Sequence, residues 1–194
     1  MRPEVTEGGG VAGSDAEARF LQLYADHGRS VMGYAMRRVP GAEDAADLVA
    51  ETFLSAWRRA DEVPPGPEAR LWLYGIARGL LANCRRAERR RDRLLSRLRV
   101  DRSTKTSSES EPEIETAVSR ALGRLTDRDR EILMLAGWEG LEPEEIARVL
   151  RISRVATRTR LHRARRRFEQ ALAETELEED PPWRAASLEI EEAG

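Results

Sequence analysis

With 194 residues, 40% of them apolar, and a formal charge of −2, the chain can bury one or two small cores, and its overall charge singles out no partner. The single cysteine, Cys84, excludes an internal disulfide, and no apolar run nears the roughly 20 residues that a bilayer span needs. Residues 1–10 lack the apolar core of a signal peptide, so a cytoplasmic protein without membrane insertion is expected.

Residues 1–15 are polar and glycine-rich and are expected to be disordered. From Ala16 the periodicity is helical. Phe20, Leu23, Tyr24, His27, Val31, Tyr34 and Ala35 step by three and four along a first helix that Pro40-Gly41 ends. A second helix, about 42–59, carries Ala45, Val49, Phe53, Ala56 and Trp57 as its buried stripe. The opposite side holds Asp47, Ala50, Glu51 and Leu54, an acidic face with an apolar edge. Three prolines and a glycine make 60–69 a loop. A third helix, 70–97, is expected to bury Leu73, Ile76, Ala77, Leu80 and Cys84 and to align Arg70, Tyr74, Arg78 and Arg85 on one side. Trp57 and Trp72 read as core residues.

The polar, Ser/Thr-rich stretch 100–112 is the expected flexible linker between two domains, 16–99 and 113–173. Past it, Ile114, Ala117, Val118, Ala121, Leu122 and Leu125 mark one helical face starting near Glu113. Thr126 and Asp129 form a capping pair ahead of a helix carrying Ile132, Leu133 and Leu135, which stops near Gly137. Pro143 suits the first turn of the next helix, where Glu144 and Glu145 meet the positive end of the dipole; Ile146, Ala147 and Leu150 point inward. Ser153 is an N-cap for a final helix with Thr157, Leu161, Ala164 and Phe168 spaced for burial. The whole chain is expected to be all-α, in two small helical domains, the second containing a helix-turn-helix.

Charge is blocked along this scaffold. Residues 85–102 carry nine arginines against three acids, 151–167 eight arginines and no acid, and 174–192 eight acids against Arg184. A helix with that much uncompensated positive charge calls for a polyanion. Arg154, Arg158 and Arg165 project away from the buried stripe, where arginines reach phosphates and guanine edges in a major groove. Solvated faces, RNA, a membrane or an acidic protein are the alternatives for the basic blocks. The acidic segment 174–194 reads as a loose extension, either solubilising or laid across the arginines. Two histidines, His27 and His162, far apart in sequence, with no metal-ligand spacing, phosphate-cradling glycine loop or nucleophile elbow, argue against an enzyme, a metal site or a cofactor.

Four stretches together resemble the extracytoplasmic-function (ECF) group of bacterial RNA polymerase sigma factors. Asp47-Leu-Val-Ala-Glu-Thr-Phe-Leu-Ser-Ala-Trp57 resembles the segment that docks on core polymerase, which implies Asp47, Ala50, Glu51 and Leu54 as contacts to the β′ clamp helices. Leu71-Trp-Leu-Tyr-Gly-Ile-Ala-Arg78 with Arg85-Arg86 resembles the −10 helix. The resemblance thereby implies Arg70, Tyr74, Arg78, Arg85 and Arg86 as −10 contacts, with capture of an unstacked base at the Pro-rich loop. Leu125-Thr-Asp-Arg-Asp-Arg-Glu-Ile-Leu133 resembles the entry to the −35 domain. Glu145-Ile-Ala-Arg-Val-Leu150, Ile152-Ser153 and Arg160-Leu-His-Arg-Ala-Arg165 resemble its helix-turn-helix. The implied −35 contacts are Ser153, Arg154, Arg158, Thr159, Arg160, His162, Arg163 and Arg165. The implied partners are core RNA polymerase (β′ clamp helices and β flap), promoter DNA and an anti-sigma factor.

The chain departs from the family pattern at four places. Ala50 stands where glutamine is usual, Gly79 where asparagine is common, Arg151 at the turn glycine, and Val155-Ala156-Thr157 where Gly-Thr-Val is usual. A left-handed arginine at 151 would cost on the order of 1 kcal/mol. The rival reading is a two-domain helix-turn-helix regulator that binds duplex DNA without joining polymerase; it has no need of the 47–57 segment.

Overall fold

A computed structural model describes residues 10–98 and 116–179. The expected linker, the tail 180–194, Glu113 and Ile114 lie outside the described residues. Contacts divide the chain into two compact units, 1–110 and 111–194. Seven α-helices and no strand appear among the described residues.

The first unit packs α1 (Gly10–Met36), α2 (Ala42–Trp57) and α3 (Glu68–Leu98) against one another. α1 begins six residues before Ala16, so residues 10–15 are helical, contrary to the disorder expected of them. Glycine content suggested disorder there, but 10–15 hold no proline, and an established helix extends backward at one hydrogen bond per residue. The core joins Val31, Tyr34 and Ala35 of α1 to Ala45, Val49, Phe53 and Ala56 of α2 and to Leu73 and Ala77 of α3. Leu48 and Thr52 widen the α2 stripe; the Thr52 hydroxyl donates to the Leu48 carbonyl at 2.7 Å, so its burial leaves no donor unpaired.

Periodicity misplaced several side chains here. Trp57 is exposed, its ring edge-on to Phe20 at 5.1 Å. Cys84 is exposed because α3 is open to solvent from Asn83 to Arg93 except at the half-buried Arg85. Ile76 and Leu80 are half-buried, while Leu71 and Leu81 take core positions.

The second unit wraps α4 (Ala117–Arg124), α5 (Asp127–Gly137) and α6 (Pro143–Leu150) around α7 (Arg154–Glu179). Caps define its corners. Thr116 accepts from the Ser119 N–H at 3.2 Å, which starts α4 later than Glu113, and Thr126 accepts from the Asp129 N–H at 3.2 Å. Glu142 and Glu145 form a reciprocal capping box at α6. Arg130 ties α5 to the end of α4 by donating to the carbonyls of Leu122, Gly123 and Leu125 at 2.8, 3.0 and 3.3 Å.

The core holds Ala121, Ile132, Leu135, Ile146, Leu161 and Ala164. Met134 and Val149 are buried where Leu133 and Leu150 were expected, and those two are half-buried; Val118 is exposed. α7 runs on to Glu179, so 174–179 is helix rather than loose extension. The stripe Leu161, Ala164, Phe168, Ala171 and Thr175 continues at steps of three and four, and the buried Thr175 hydroxyl donates to the Ala171 carbonyl at 2.8 Å. That stripe outweighs the acidic composition.

Candidate nucleic-acid and polymerase interfaces

The first unit presents two surfaces and a cavity. Burial of Ala45, Leu48, Val49, Thr52, Phe53 and Ala56 forces the other side of α2 outward, and Asp47, Ala50, Glu51 and Leu54 are all exposed there. Asp47 and Glu51 sit one turn apart, with Leu54 (40% exposed) beside them. A two-carboxylate face with an apolar edge suits a basic helix.

On α3, Arg70 and Arg78 are half-buried along one side and Arg86 is exposed, its guanidinium bonded to Asn83 Oδ1. Arg85 turns toward the end of α1 and donates to the Arg38 carbonyl at 3.4 Å. Tyr74 corrects the sequence expectation. It is 3% exposed and stacks on Tyr34 with centroids 5.1 Å apart and planes 21° apart. Arg38 covers the Tyr34 ring at 3.6 Å and donates to the Tyr34 carbonyl at 3.0 Å. Position 74 falls at i+4 from Arg70, but α1 packs on that line, so the ring belongs to the core instead of being offered to a base.

A cavity of about 430 Å³ opens between Phe20, Leu23 and His27 of α1, Trp57 of α2, and Pro64 and Pro65 of the 60–69 loop. The loop is braced. A 3₁₀ turn spans Ala60–Glu62, Arg59 pairs with Glu62 and lies 5.2 Å from the Trp72 ring, and Gly66 takes φ 63°, open to glycine at little cost. Burial pushes the His27 imidazole below its ordinary value; neighbouring Arg70 pushes the same way and Asp26 opposes both.

The second unit carries the helix-turn-helix. α6 ends in a left-handed Arg151, φ 54° and ψ 48°, as expected for the turn position. The Ile152 N–H donates to the Ala147 carbonyl at 3.1 Å and the Arg151 N–H to the Arg148 carbonyl at 3.2 Å, the paired bonds of a Schellman stop. Ser153 caps α7, accepting from the Ala156 N–H at 3.2 Å. Thr157 is fully buried, its hydroxyl donating to the Ser153 carbonyl at 3.0 Å, so the hydroxyl at this start faces inward.

Arg154, Arg158, Thr159, Arg160, His162, Arg163 and Arg165 are exposed on α7. Three arginines of the run pair with carboxylates of the same unit. Arg154 and Arg158 both reach Glu144 Oε1, at 3.3 and 3.0 Å. The Glu144 carboxyl is held below its ordinary value, first by a backbone hydrogen bond at its own position and then by these two guanidinia. Farther along, Arg167 pairs with the buried Asp129 at 2.6 Å.

Sequence reasoning missed Glu144, which it read only as a dipole partner, and Asp129, which it read only as a cap residue. It marked Val155 as part of the Val155-Ala156-Thr157 departure but not as an exposed apolar side chain, 76% exposed between Arg154 and Ala156. An apolar residue two places after a helix cap, off the buried stripe, was the available signal.

A two-unit all-helical chain with an acidic helix face in one unit and an arginine-lined helix-turn-helix in the other defines a DNA-reading protein that also engages a protein partner. Comparison with known proteins fixes the family. Residues 23–91 match the model of Sigma-70 region 2, and residues 115–168 match that of Sigma-70, region 4. The chain is 34% identical over 166 residues to the RNA polymerase sigma factor CarQ of Myxococcus xanthus, covering 84% of this chain and 94% of that one. It is 30% identical over 166 residues to the ECF RNA polymerase sigma factor SigL of Mycobacterium tuberculosis, covering 82% and 92%.

Its fold resembles the sigma factor RpoE solved with the anti-sigma factor NepR from Bartonella quintana, with TM-score 0.61, 21% identity and coverage of 82% and 97%. It also resembles CnrH solved with the cytosolic domain of CnrY, with TM-score 0.59, 26% identity and coverage of 82% and 94%.

The chain belongs to the ECF group of sigma-70 family RNA polymerase sigma factors, and its function is promoter-specific initiation of transcription. This is not an enzyme family. Region 2 over residues 23–91 disfavours a regulator that works without polymerase. Among the described residues, no helix is long and apolar enough to cross a membrane.

Proposed function

We propose that the three promoter-initiation tasks divide among three surfaces of this chain. Asp47, Ala50, Glu51 and Leu54 contact core polymerase through the β′ clamp helices. Arg70, Arg78, Arg85 and Arg86 hold the −10 strand, with Tyr74 acting from beneath by packing α3 onto α1. The 430 Å³ cavity behind the braced Pro-rich loop receives an unstacked base, whose apolar faces suit Phe20, Trp57 and the prolines. Ser153, Arg154, Arg158, Thr159, Arg160, His162, Arg163 and Arg165 read the −35 duplex, and exposed Val155 suits a thymine methyl group. The same unit also contacts the β flap.

The carrying observation is the exposed Asp47–Glu51 pair inside the stretch matched by region 2. A DNA-only regulator has no use for an acidic helix face of this kind. Capture of core polymerase by the full chain is expected, with loss of at least tenfold in the Asp47→Ala, Glu51→Ala double variant at unchanged helix content. A full chain that binds DNA stably and fails to retain polymerase overturns the assignment. Transcription with core polymerase, mapped for start sites across genomic DNA, then reads out the promoters.

RpoE was solved with an anti-sigma factor and CnrH with the cytosolic domain of CnrY. A cytoplasmic location and a comparable inhibitory partner are proposed for this chain on that likeness.

A further inference from the structure

Two of the −35 arginines are tied to a carboxylate on the other helix of the same motif. Glu144 Oε1 accepts from Arg158 Nη2 at 3.0 Å and meets Arg154 Nη2 at 3.3 Å, across the turn that joins α6 to α7. Arg154 and Arg158 are one helical turn apart, so a single oxygen draws both guanidinia to one point. Their side chains remain 71% and 70% exposed, whereas that of Glu144 is 30% exposed. Each guanidinium keeps most of its five N–H donors for an outside ligand.

The reciprocal capping box does not require the Glu144 carboxylate, and the hydrogen bond to its own backbone N–H leaves its reach across to α7 unexplained. Glu142 and Glu145 already close the box at the start of α6, with the Glu142 N–H donating to Glu145 Oε2 at 2.9 Å. Nor does stability account for it, since ion pairs this exposed contribute little. For phosphate affinity alone, a negative charge beside two arginines is a disadvantage. A fixed direction is what base readout needs, because a guanidinium recognises guanine O6 and N7 only when both N–H groups arrive in the base plane.

We propose that Glu144 is a specificity-determining positioning residue, which aims Arg154 and Arg158 at base edges and weakens their pull on phosphate. This rests on the −35 reading of the helix-turn-helix. The position taken by Arg154 gives the pair its reach: it is the first residue of α7, directly after the Ser153 cap, so its side chain lies beside the start of α6.

The test uses holoenzyme assembled from core polymerase and the full chain, enriched on duplex DNA with a randomised upstream block. The enriched sequence and its single-base-pair changes are then titrated across a salt series with wild type, Glu144→Gln and Arg154→Ala. For Glu144→Gln the expected result is about a tenfold loss of discrimination between enriched and changed sequences. Binding to unrelated DNA tightens, and the log–log salt slope steepens by about one. Arg154→Ala loses discrimination over the same base pairs with a shallower slope.

Unchanged discrimination in Glu144→Gln overturns the proposal and leaves the −35 reading standing. So does an equal loss of affinity for every sequence with an earlier thermal midpoint, which marks a purely structural role. If wild-type holoenzyme enriches no upstream sequence, the −35 reading itself fails and the positioning role falls with it.

Discussion

The two units are held together by different chemistry. The first relies on large rings: Tyr34 stacked on Tyr74, and Tyr24 and Phe20 edge-on to Phe53 at 4.8 and 6.2 Å. The second fills its centre with Ala, Leu, Ile and Met side chains and ties its corners with polar groups. Thr116, Thr126, Ser153 and the Glu142–Glu145 box start its helices, Arg130 closes α4, and Arg167 reaches Asp129 across 38 residues. Its small side chains let short helices approach closely, which leaves many helix ends in a small volume and makes capping decisive. Stability should therefore fail through ring truncation in one unit and through lost polar partners in the other.

The largest expected effect is in the first unit. Tyr74→Ala should cost about 3–5 kcal/mol there, read by amide exchange resolved for each unit, with the second unit unaffected. Tyr74→Phe keeps the stack and should stay within about 1 kcal/mol of wild type. If Tyr74→Ala left the first unit's stability intact while impairing promoter opening, the ring would belong to DNA after all.

Asp129→Ala comes next. It strips an acceptor from the Thr126 hydroxyl at 2.9 Å and from Arg167 at 2.6 Å, and should cost the second unit about 2 kcal/mol. Equal exchange in wild type and variant would remove the polar half of the comparison.

Arg151→Gly works in the opposite direction. Relief of the left-handed arginine should stabilise the second unit by about 1 kcal/mol, seen as a higher denaturant midpoint. No gain would mean that the arginine side chain offsets the backbone strain.

The smallest effect is a pH slope confined to the first unit. Because His27 titrates below its ordinary 6.5 in the fold, the unfolded chain takes up that proton first on acidification. Stability present above pH 6.5 is then lost as pH falls toward the folded value, and His27→Gln should flatten that segment of the pH curve.

Much of this architecture was legible in the sequence. The Thr126 and Ser153 caps, the turn at Arg151 and the inward Thr157 follow from bonds spanning no more than five residues, which the local sequence decides. The open α2 face also followed, because α2 is buried on one side only and its period tells in from out. α3 was harder. Its partners cover it on more than one line near the start and leave it near the end, so Tyr74 went in and Cys84 came out, against the single-stripe expectation.

The sequence by itself determined the order of the helices, the turn between α6 and α7, the blocked charge and the family to which these belong, since each rests on local spacing or on motifs in order. Only the tertiary structure decided that Tyr74 supports α3 from within, that a cavity opens beside the Pro-rich loop, and that Glu144 meets Arg154 and Arg158. Those contacts join residues brought together by packing, with 40 positions between Tyr34 and Tyr74 and 14 between Glu144 and Arg158. Periodicity gives the direction of a side chain from its own helix axis; it carries no information about what stands opposite.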